Sequence, residues 1–186
     1  MEPGNLSLDQ YILDASGAAT PRVCFVGTAS GDAQSFIDRF YAAFGTLNSR
    51  PSHISLFKLE PDDLRERVLE QDVMYVGGGN TRAMLAVWRE WEFDRILREA
   101  WEAGVVLAGI SAGSICWFEQ GLSDSVGRRS CSRSSVWDFF PAAIARITMA
   151  RRSAARATRS LCCRGALTPD MPPTTARRYI LPGPRL

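Results

Sequence analysis

Residues Val105–Cys116 read Val-Val-Leu-Ala-Gly-Ile-Ser-Ala-Gly-Ser-Ile-Cys, an apolar run that stops at a serine between glycines. This pattern predicts a strand that turns sharply into a helix at Ser111, the arrangement called a nucleophile elbow. Gly109 and Gly113 stand two residues before and two after Ser111, where a side chain would collide at the turn. Ser111 is therefore a candidate nucleophile. The alternative is a glycine-rich turn in which the serine only caps a helix.

Apolar and amphipathic segments alternate on the N-terminal side of this elbow. The predicted strands cover residues 22–27, 54–59, 72–76 and 105 to the elbow. The predicted helices cover residues 36–44, 61–70 and 81–103, and Asp32 is the predicted cap of the first. This order predicts an α/β fold in which helices cover both faces of a mostly parallel sheet.

A second glycine-rich segment, Gly77-Gly78-Gly79-Asn80-Thr81, follows the third predicted strand, and we call it the glycine loop. Parallel α/β sheets bind ligands at the carboxyl ends of their strands, so this loop and the elbow should meet at one edge. A tight turn needs only one glycine, whereas three leave the backbone amides uncovered. We therefore expect an oxyanion hole formed by the amide of Ala112 and one from Gly78 or Gly79.

Together, these segments resemble the peptidase E family, the S51 serine peptidases that include α-aspartyl dipeptidase and cyanophycinase. The resemblance rests on Tyr75–Thr81, Gly109–Phe118 and Gly121–Ser125, and covers about residues 20–127. It implies a three-layer, flavodoxin-like fold similar to class I glutamine amidotransferases. It also implies hydrolysis of short peptides, in the best-known members dipeptides with an N-terminal aspartate.

The resemblance also implies roles for individual residues. Ser111 matches the nucleophile, and Asp124 lies close to the position of the triad acid. Asn80 and Thr81 fall where substrate is bound, and the expected oxyanion donors coincide with those of the family. The implied reaction passes through an acyl-enzyme on the serine and requires no metal and no organic cofactor.

The general base is not assigned by this resemblance. A serine hydroxyl needs a neighbour to accept its proton, usually a histidine. The chain has a single histidine, His53, which precedes the second predicted strand and is therefore expected at the amino edge of the sheet, away from Ser111. We expect weak or absent turnover, and the alternative is a peptidase-like module that binds peptides without cleaving them.

Charge divides the chain near residue 127. Residues 1–127 hold 10 Lys+Arg and 18 Asp+Glu, whereas residues 128–186 hold 12 Arg and two Asp. We expect residues 1–127 to be the peptidase-like domain, and residues 128–186 to be an irregular arginine-rich segment or a frameshifted remainder of the same domain. A basic arm for nucleic acid is the other interpretation, but the segment has few aromatic residues and no binding motif.

Back-translation of Phe139–Ala150 supports the frameshift hypothesis. When the third base of each codon is read with the next two bases, permitted codons encode Leu-Pro-Gly-Ser-His-Cys-Pro-His-Tyr-Asp-Gly. This string resembles the segment that carries the family's histidine, Pro-His-Tyr or Pro-His-Phe. A shifted frame in GC-rich DNA would also explain why the segment is rich in arginine and lacks lysine.

Composition supplies the remaining expectations. The chain of 186 residues, 46% of them hydrophobic, can bury one core. It has neither an apolar run of about 18 residues nor a recognisable export signal, so we expect a soluble cytoplasmic protein without a membrane partner. The five cysteines lack metal-ligand spacing, and Cys116 is expected to pack in the core. The tryptophan-rich stretch of residues 88–117 is expected in the core or at a homodimer interface.

Overall fold

A five-stranded sheet lies at the centre of the protein, in a computed structural model that describes residues 6–58, 63–118, 120–123, 132–135, 144–145 and 178–181. Its strands are β1 (Arg22–Val26), β2 (Arg50–Ile54), β3 (Val73–Val76), β4 (Val106–Ile110) and β8 (Arg178–Leu181). Across the sheet they lie in the order β2-β1-β3-β4-β8. Strands β1 to β4 are parallel, and β8 pairs antiparallel with β4. Short strands β5 (Gln120–Ser123), β6 (Ser132–Ser135) and β7 (Ile144–Ala145) form a second sheet.

Helices cover both faces of the five-stranded sheet. They are α1 (Ser7–Asp14), α2 (Gln34–Phe44), α3 (Leu64–Leu69), α4 (Thr81–Glu90), α5 (Phe93–Glu102) and α6 (Ala112–Ile115), with single 3₁₀ turns at Thr28–Ser30 and Leu56–Lys58. Helices α1 and α2 pack on one face, and α3 to α6 on the other. The predicted three-layer α/β fold with a mostly parallel sheet is confirmed.

The two faces have separate apolar cores because successive strand residues point to opposite sides. On the α1–α2 side, the ring of Phe40 stacks on Phe25, with centroids 5.0 Å apart, and Phe44 contacts Tyr75 at 5.4 Å. On the other side, the indoles of Trp88 and Trp117 are fully buried. Cys116 is buried beside them, as predicted, and Trp91 and Trp101 pack partly buried against this core.

One predicted strand is misplaced. Strand β2 covers Arg50–Ile54 rather than 54–59, so His53 lies inside the strand near its carboxyl end, and its predicted position at the amino edge is wrong. Pro51 lies within this strand although proline has no N–H to donate to a neighbouring strand. Since β2 is an edge strand that pairs only with β1 in the described sheet, proline is tolerated there.

The predicted helix cap at Asp32 is also wrong. Helix α2 begins at Gln34 after Ala33, and no side chain caps the amides of its first turn in the described structure. Asp32 instead has a positive φ of 53°, and its Oδ2 accepts a hydrogen bond from the Phe57 amide at 3.0 Å. The carboxylate thus ties the segment after β1 to the segment after β2. None of the helices in the described ranges is long and apolar enough to cross a membrane.

Candidate active site

The backbone at Ser111 has the strained conformation expected of a nucleophile elbow. Ser111 joins β4 to α6 with φ 57° and ψ −115°. A positive φ is uncommon for a residue with a side chain, and such conformations cost about 1–3 kcal/mol unless surrounding packing enforces them. The strain at Ser111 is therefore held in place by its neighbours.

Glycines on either side make this turn possible. A Cβ built on Gly113 would overlap the carbonyl of Val76, lying 2.6 Å from its carbon, and one built on Gly109 would lie 2.8 Å from the same carbonyl's oxygen. Backbone atoms cannot move aside as a flexible side chain can, so only glycine fits at both positions. The collision predicted from the glycine spacing is confirmed.

The hydroxyl of Ser111 does not cap the helix. Its Oγ makes no hydrogen bond to the first turn of α6, nor to any other described residue. It is the carbonyl of Ser111 that is engaged, accepting hydrogen bonds from the amide of Ser114 at 2.9 Å and from Ser114 Oγ at 2.7 Å. The interpretation of Ser111 as a serine whose side chain caps the helix is wrong, and the residue is partly exposed among the described residues.

The glycine loop lies directly against Ser111. A Cβ built on Gly78 would be 3.1 Å from the Cβ of Ser111 and 3.6 Å from its Oγ. Strands β3 and β4 are parallel neighbours, with Val76 paired to Gly109, so the loops that follow them leave the sheet at the same edge. The two glycine-rich segments singled out in the sequence thus meet.

Some backbone amides around Ser111 have an acceptor in the described part of the chain, and others have none. Gly77 donates to the carbonyl of Val26 at 3.0 Å, and Asn80 donates to the carbonyl of Ala29 at 2.7 Å. Between them, the amides of Gly78 and Gly79 find no acceptor among the described residues. The amide of Ala112 likewise has no acceptor in the described ranges, as is usual at the start of a helix. Three amide donors that find no acceptor within the described ranges flank the Ser111 hydroxyl, and such donors can bind an anion or an oxyanion.

Asn80 and Thr81 are placed at the start of α4. The Oδ1 of Asn80 accepts a hydrogen bond from the amide of Ala83 at 2.9 Å and so caps this helix. Asn80 is exposed at the end of the glycine loop, whereas Thr81 is buried. Their roles in substrate binding stay predictions. Asp124, the predicted triad acid, lies outside the described residues.

His53 is far from Ser111. Its Nδ1 is hydrogen-bonded to the hydroxyl of Tyr41 at 2.9 Å. Strands β1 and β3 separate β2 from β4 in the sheet, and since neighbouring strands are about 4.8 Å apart, β2 lies about 14 Å from β4. His53 is therefore separated from the serine laterally across the sheet, not along the strands as its predicted position implied.

The two described thiols are buried. Burial raises the pKa of Cys24 to about 12 and raises the pKa of Cys116 well above its ordinary value. The Sγ of Cys116 lies 3.4 Å from the carbonyl of Gly113, within the helix that follows Ser111. A buried thiol with a raised pKa holds little of the nucleophilic thiolate. In the described ranges, no three side chains of His, Cys, Asp or Glu converge as metal ligands would.

Sequence reasoning missed Asp32 as a residue of this edge. Its side chain is buried, and its Oδ1 has no hydrogen-bond partner among the described residues. Desolvation raises the pKa of this carboxyl, although hydrogen bonds from the Phe57 and Leu56 amides oppose the rise. The signal available was the segment Gly27-Thr-Ala-Ser-Gly-Asp32, which is bounded by glycines and follows a buried strand at the edge where ligands bind.

The fold and site together define an α/β protein with a nucleophile elbow and a facing glycine loop. The family model described as Peptidase family S51 matches residues 1–146, and the chain belongs to this peptidase family. It is 64% identical over 127 residues to "Uncharacterized peptidase YgaJ" of Bacillus subtilis (strain 168), a match that covers 68% of this chain and 55% of the relative. The chain thus spans about half the length of the curated relative it matches.

A solved structure has the same fold. It is described as a "Putative Peptidase E Protein" from Listeria monocytogenes EGD-e, and matches with a TM-score of 0.50 at 18% identity, over 60% of this chain and 56% of that one. The similarity supports the flavodoxin-like arrangement of class I glutamine amidotransferases for the present chain.

Proposed function

We propose that this chain is a serine peptidase that cleaves short peptides, including dipeptides with an N-terminal aspartate, through an acyl-enzyme on Ser111. The proposal rests on the strained φ of 57° at Ser111, whose hydroxyl lies beside the amides of Gly78 and Gly79, for which the described part of the chain supplies no acceptor. Membership of the S51 family and the resemblance of its motifs to those of peptidase E support the reaction class and the substrate.

In the proposed reaction, Ser111 Oγ attacks the scissile carbonyl carbon and loses its proton. The carbonyl oxygen becomes an oxyanion, which accepts hydrogen bonds from the amide of Ala112 and from Gly78 or Gly79. Losing one such donor typically costs about 3 kcal/mol of transition-state stabilisation. A general base carries the proton of Ser111 to the amine nitrogen as the C–N bond breaks, which leaves an ester on Ser111, and water then hydrolyses this ester.

Both proton transfers need a base that His53 cannot supply, because it lies three strands from β4 and is bound to Tyr41. The proposed peptidase is therefore impaired in this chain, and we place the missing histidine in the shifted reading frame beyond Gly127. Asp124 remains the proposed acid that would orient it.

The test compares three purified proteins on Asp-Xaa dipeptides: the chain itself, Ser111→Ala, and a chain rebuilt in the shifted frame after Gly127. We expect turnover from the rebuilt chain, little or none from the chain itself, and none from Ser111→Ala. Sequencing the gene through the codons for Ser123–Ala150 checks the frame directly. A rebuilt chain that binds dipeptides but does not cleave them would instead indicate a binding module.

A further inference from the structure

The turn at Thr28–Ser30 supports the glycine loop from the side opposite Ser111. Strand β1, which leads into this turn, and β4, which leads into Ser111, lie on opposite sides of β3. The carbonyl of Ala29 accepts the amide of Asn80 at 2.7 Å, and a Cβ built on Gly79 would overlap that carbonyl. The loop is thus held between Ala29 on one side and Ser111 on the other.

Hydrogen bonds fix the turn itself. The carbonyl of Gly27 accepts from the amide and the Oγ of Ser30, both at 2.9 Å, and from the amide of Asp32 at 3.1 Å. The hydroxyl of Thr28 accepts from Nε1 of Trp88 at 3.2 Å, and both side chains are buried. Trp88 lies on α4, the helix that follows the glycine loop. This hydrogen bond therefore joins the turn before α2 to the helix into which the glycine loop leads.

We propose that Thr28 is a positioning residue for the oxyanion hole. Its hydroxyl holds the turn against α4, so that the carbonyl of Ala29 keeps the amides of Gly78 and Gly79 at a fixed distance from Ser111. Glycine backbones are otherwise free to adopt many conformations, and an oxyanion hole works only when its donors are held in place before the reaction. The inference rests on the proposed function, because it assigns Thr28 to the same site.

Two substitutions of Thr28 separate the hydrogen bond from the packing. Thr28→Val keeps the shape and loses the acceptor, whereas Thr28→Ser keeps the acceptor and loses a methyl group. A third, Trp88→Phe, removes the donor instead. Thr46→Val is the matched control, since Thr46 also has a hydroxyl hydrogen bond, to the carbonyl of Ala43 at 2.8 Å, but lies between α2 and the start of β2, at the opposite edge of the sheet.

The first readout is hydrogen–deuterium exchange of the peptide covering the glycine loop, which needs no catalysis. The second is the rate at which 4-nitrophenyl acetate acylates Ser111. We expect Thr28→Val and Trp88→Phe to speed the exchange and to slow acylation by about tenfold, a fraction of the effect of losing a whole oxyanion donor. Thr28→Ser should restore both values, and Thr46→Val should change neither.

The outcomes separate the two proposals. Suppose that Thr28→Val speeds hydrogen–deuterium exchange of the glycine loop but Ser111 is not acylated even in the unsubstituted chain. The proposed function then fails, and the turn at Thr28–Ser30 has no role in catalysis. If Ser111 is acylated and Thr28→Val lowers only the melting temperature, leaving exchange and acylation unchanged, the positioning role is overturned. Failure of Thr28→Ser to restore the rate overturns it as well.

Discussion

Gly78 lies against the side chain of Ser111, so close that a Cβ on Gly78 would stand 3.6 Å from the serine Oγ. This approach brings the loop after β3 to the elbow after β4 and makes one site of two separate sequence motifs. A side chain at Gly78 would crowd the Ser111 hydroxyl, whereas a side chain at Gly109 or Gly113 would collide with the backbone that forms the elbow. Substitutions at these glycines should therefore have different consequences.

Gly78→Ala should impair acylation with little loss of stability. Its methyl group would meet Ser111 Cβ at 3.1 Å and the carbonyl of Ile110 at 3.3 Å, contacts that small shifts can relieve.

Gly113→Ala should cost several kcal/mol, because its methyl group would overlap the Val76 carbonyl. Urea unfolding of both variants measures the difference. Gly31→Ala is the control: it meets nothing within 4 Å and bears only the cost of its positive φ, about 1–2 kcal/mol. Equal losses for Gly78→Ala and Gly113→Ala would contradict the description of the elbow.

Ser111→Gly should stabilise the folded protein while removing the nucleophile. The φ of 57° at Ser111 is costly for serine and not for glycine, so we expect a gain of about 1 kcal/mol in the free energy of unfolding, after the greater entropy of glycine in the unfolded chain is subtracted. Ser111→Ala keeps a Cβ and should show no comparable gain. Denaturant unfolding of the three proteins side by side decides the matter, and a glycine variant no more stable than the alanine variant would argue against backbone strain at the elbow.

Asp32→Asn should make the protein more stable at neutral pH. Burial raises the pKa of Asp32 in the folded state, so the folded protein binds a proton more tightly than the unfolded chain does. Stability therefore falls as pH rises from the ordinary carboxyl range through the raised pKa, and the penalty of the buried charge is complete above it. Asparagine keeps an acceptor for the Phe57 amide, tolerates the positive φ and carries no charge.

Thermal unfolding between pH 4 and pH 8 tests this prediction. We expect a flatter pH dependence for Asp32→Asn than for the unsubstituted chain. Asp32→Ala is the comparison, since it also removes the charge but leaves the Phe57 amide without its acceptor and should be the less stable variant. If the two variants are equally destabilised at pH 7, the buried charge of Asp32 does not lower the stability of the folded protein as we expect.

Cys24 and Cys116 should resist alkylation in the folded protein. With the pKa of Cys24 at about 12 and that of Cys116 also raised, almost no thiolate is present at pH 8, and burial blocks access as well. Peptide mapping after iodoacetamide treatment should find both cysteines unmodified until urea is added. Rapid labelling of Cys116 without denaturant would show that the helix after Ser111 opens in the native state.

The elbow could be predicted from the sequence because its requirements are local. A strand, two glycines and a serine at fixed spacing determine the turn, and the glycine loop follows from the same kind of pattern. Strand β2 was misplaced because it contains Pro51, which a strand tolerates only at an edge, and only the sheet order reveals that β2 is an edge strand. The contacts of Asp32 with Phe57 and of Ala29 with Asn80 join residues far apart in the sequence, and no periodicity encodes them.

The proposed peptidase depends above all on Ser111 as an acyl acceptor, and acylation by 4-nitrophenyl acetate tests this role most directly. The nitrophenolate leaves without a proton, so acylation requires only that Ser111 lose its own proton, which hydroxide can accept at about pH 9, whereas hydrolysis of the less reactive acetyl ester still needs a general base. The acyl-enzyme should therefore accumulate. Mass spectrometry of the intact chain, followed by peptide mapping, should find one acetyl group on Ser111 and none in Ser111→Ala. A chain that acquires no acetyl group, or acquires it equally in Ser111→Ala, would contradict the central claim.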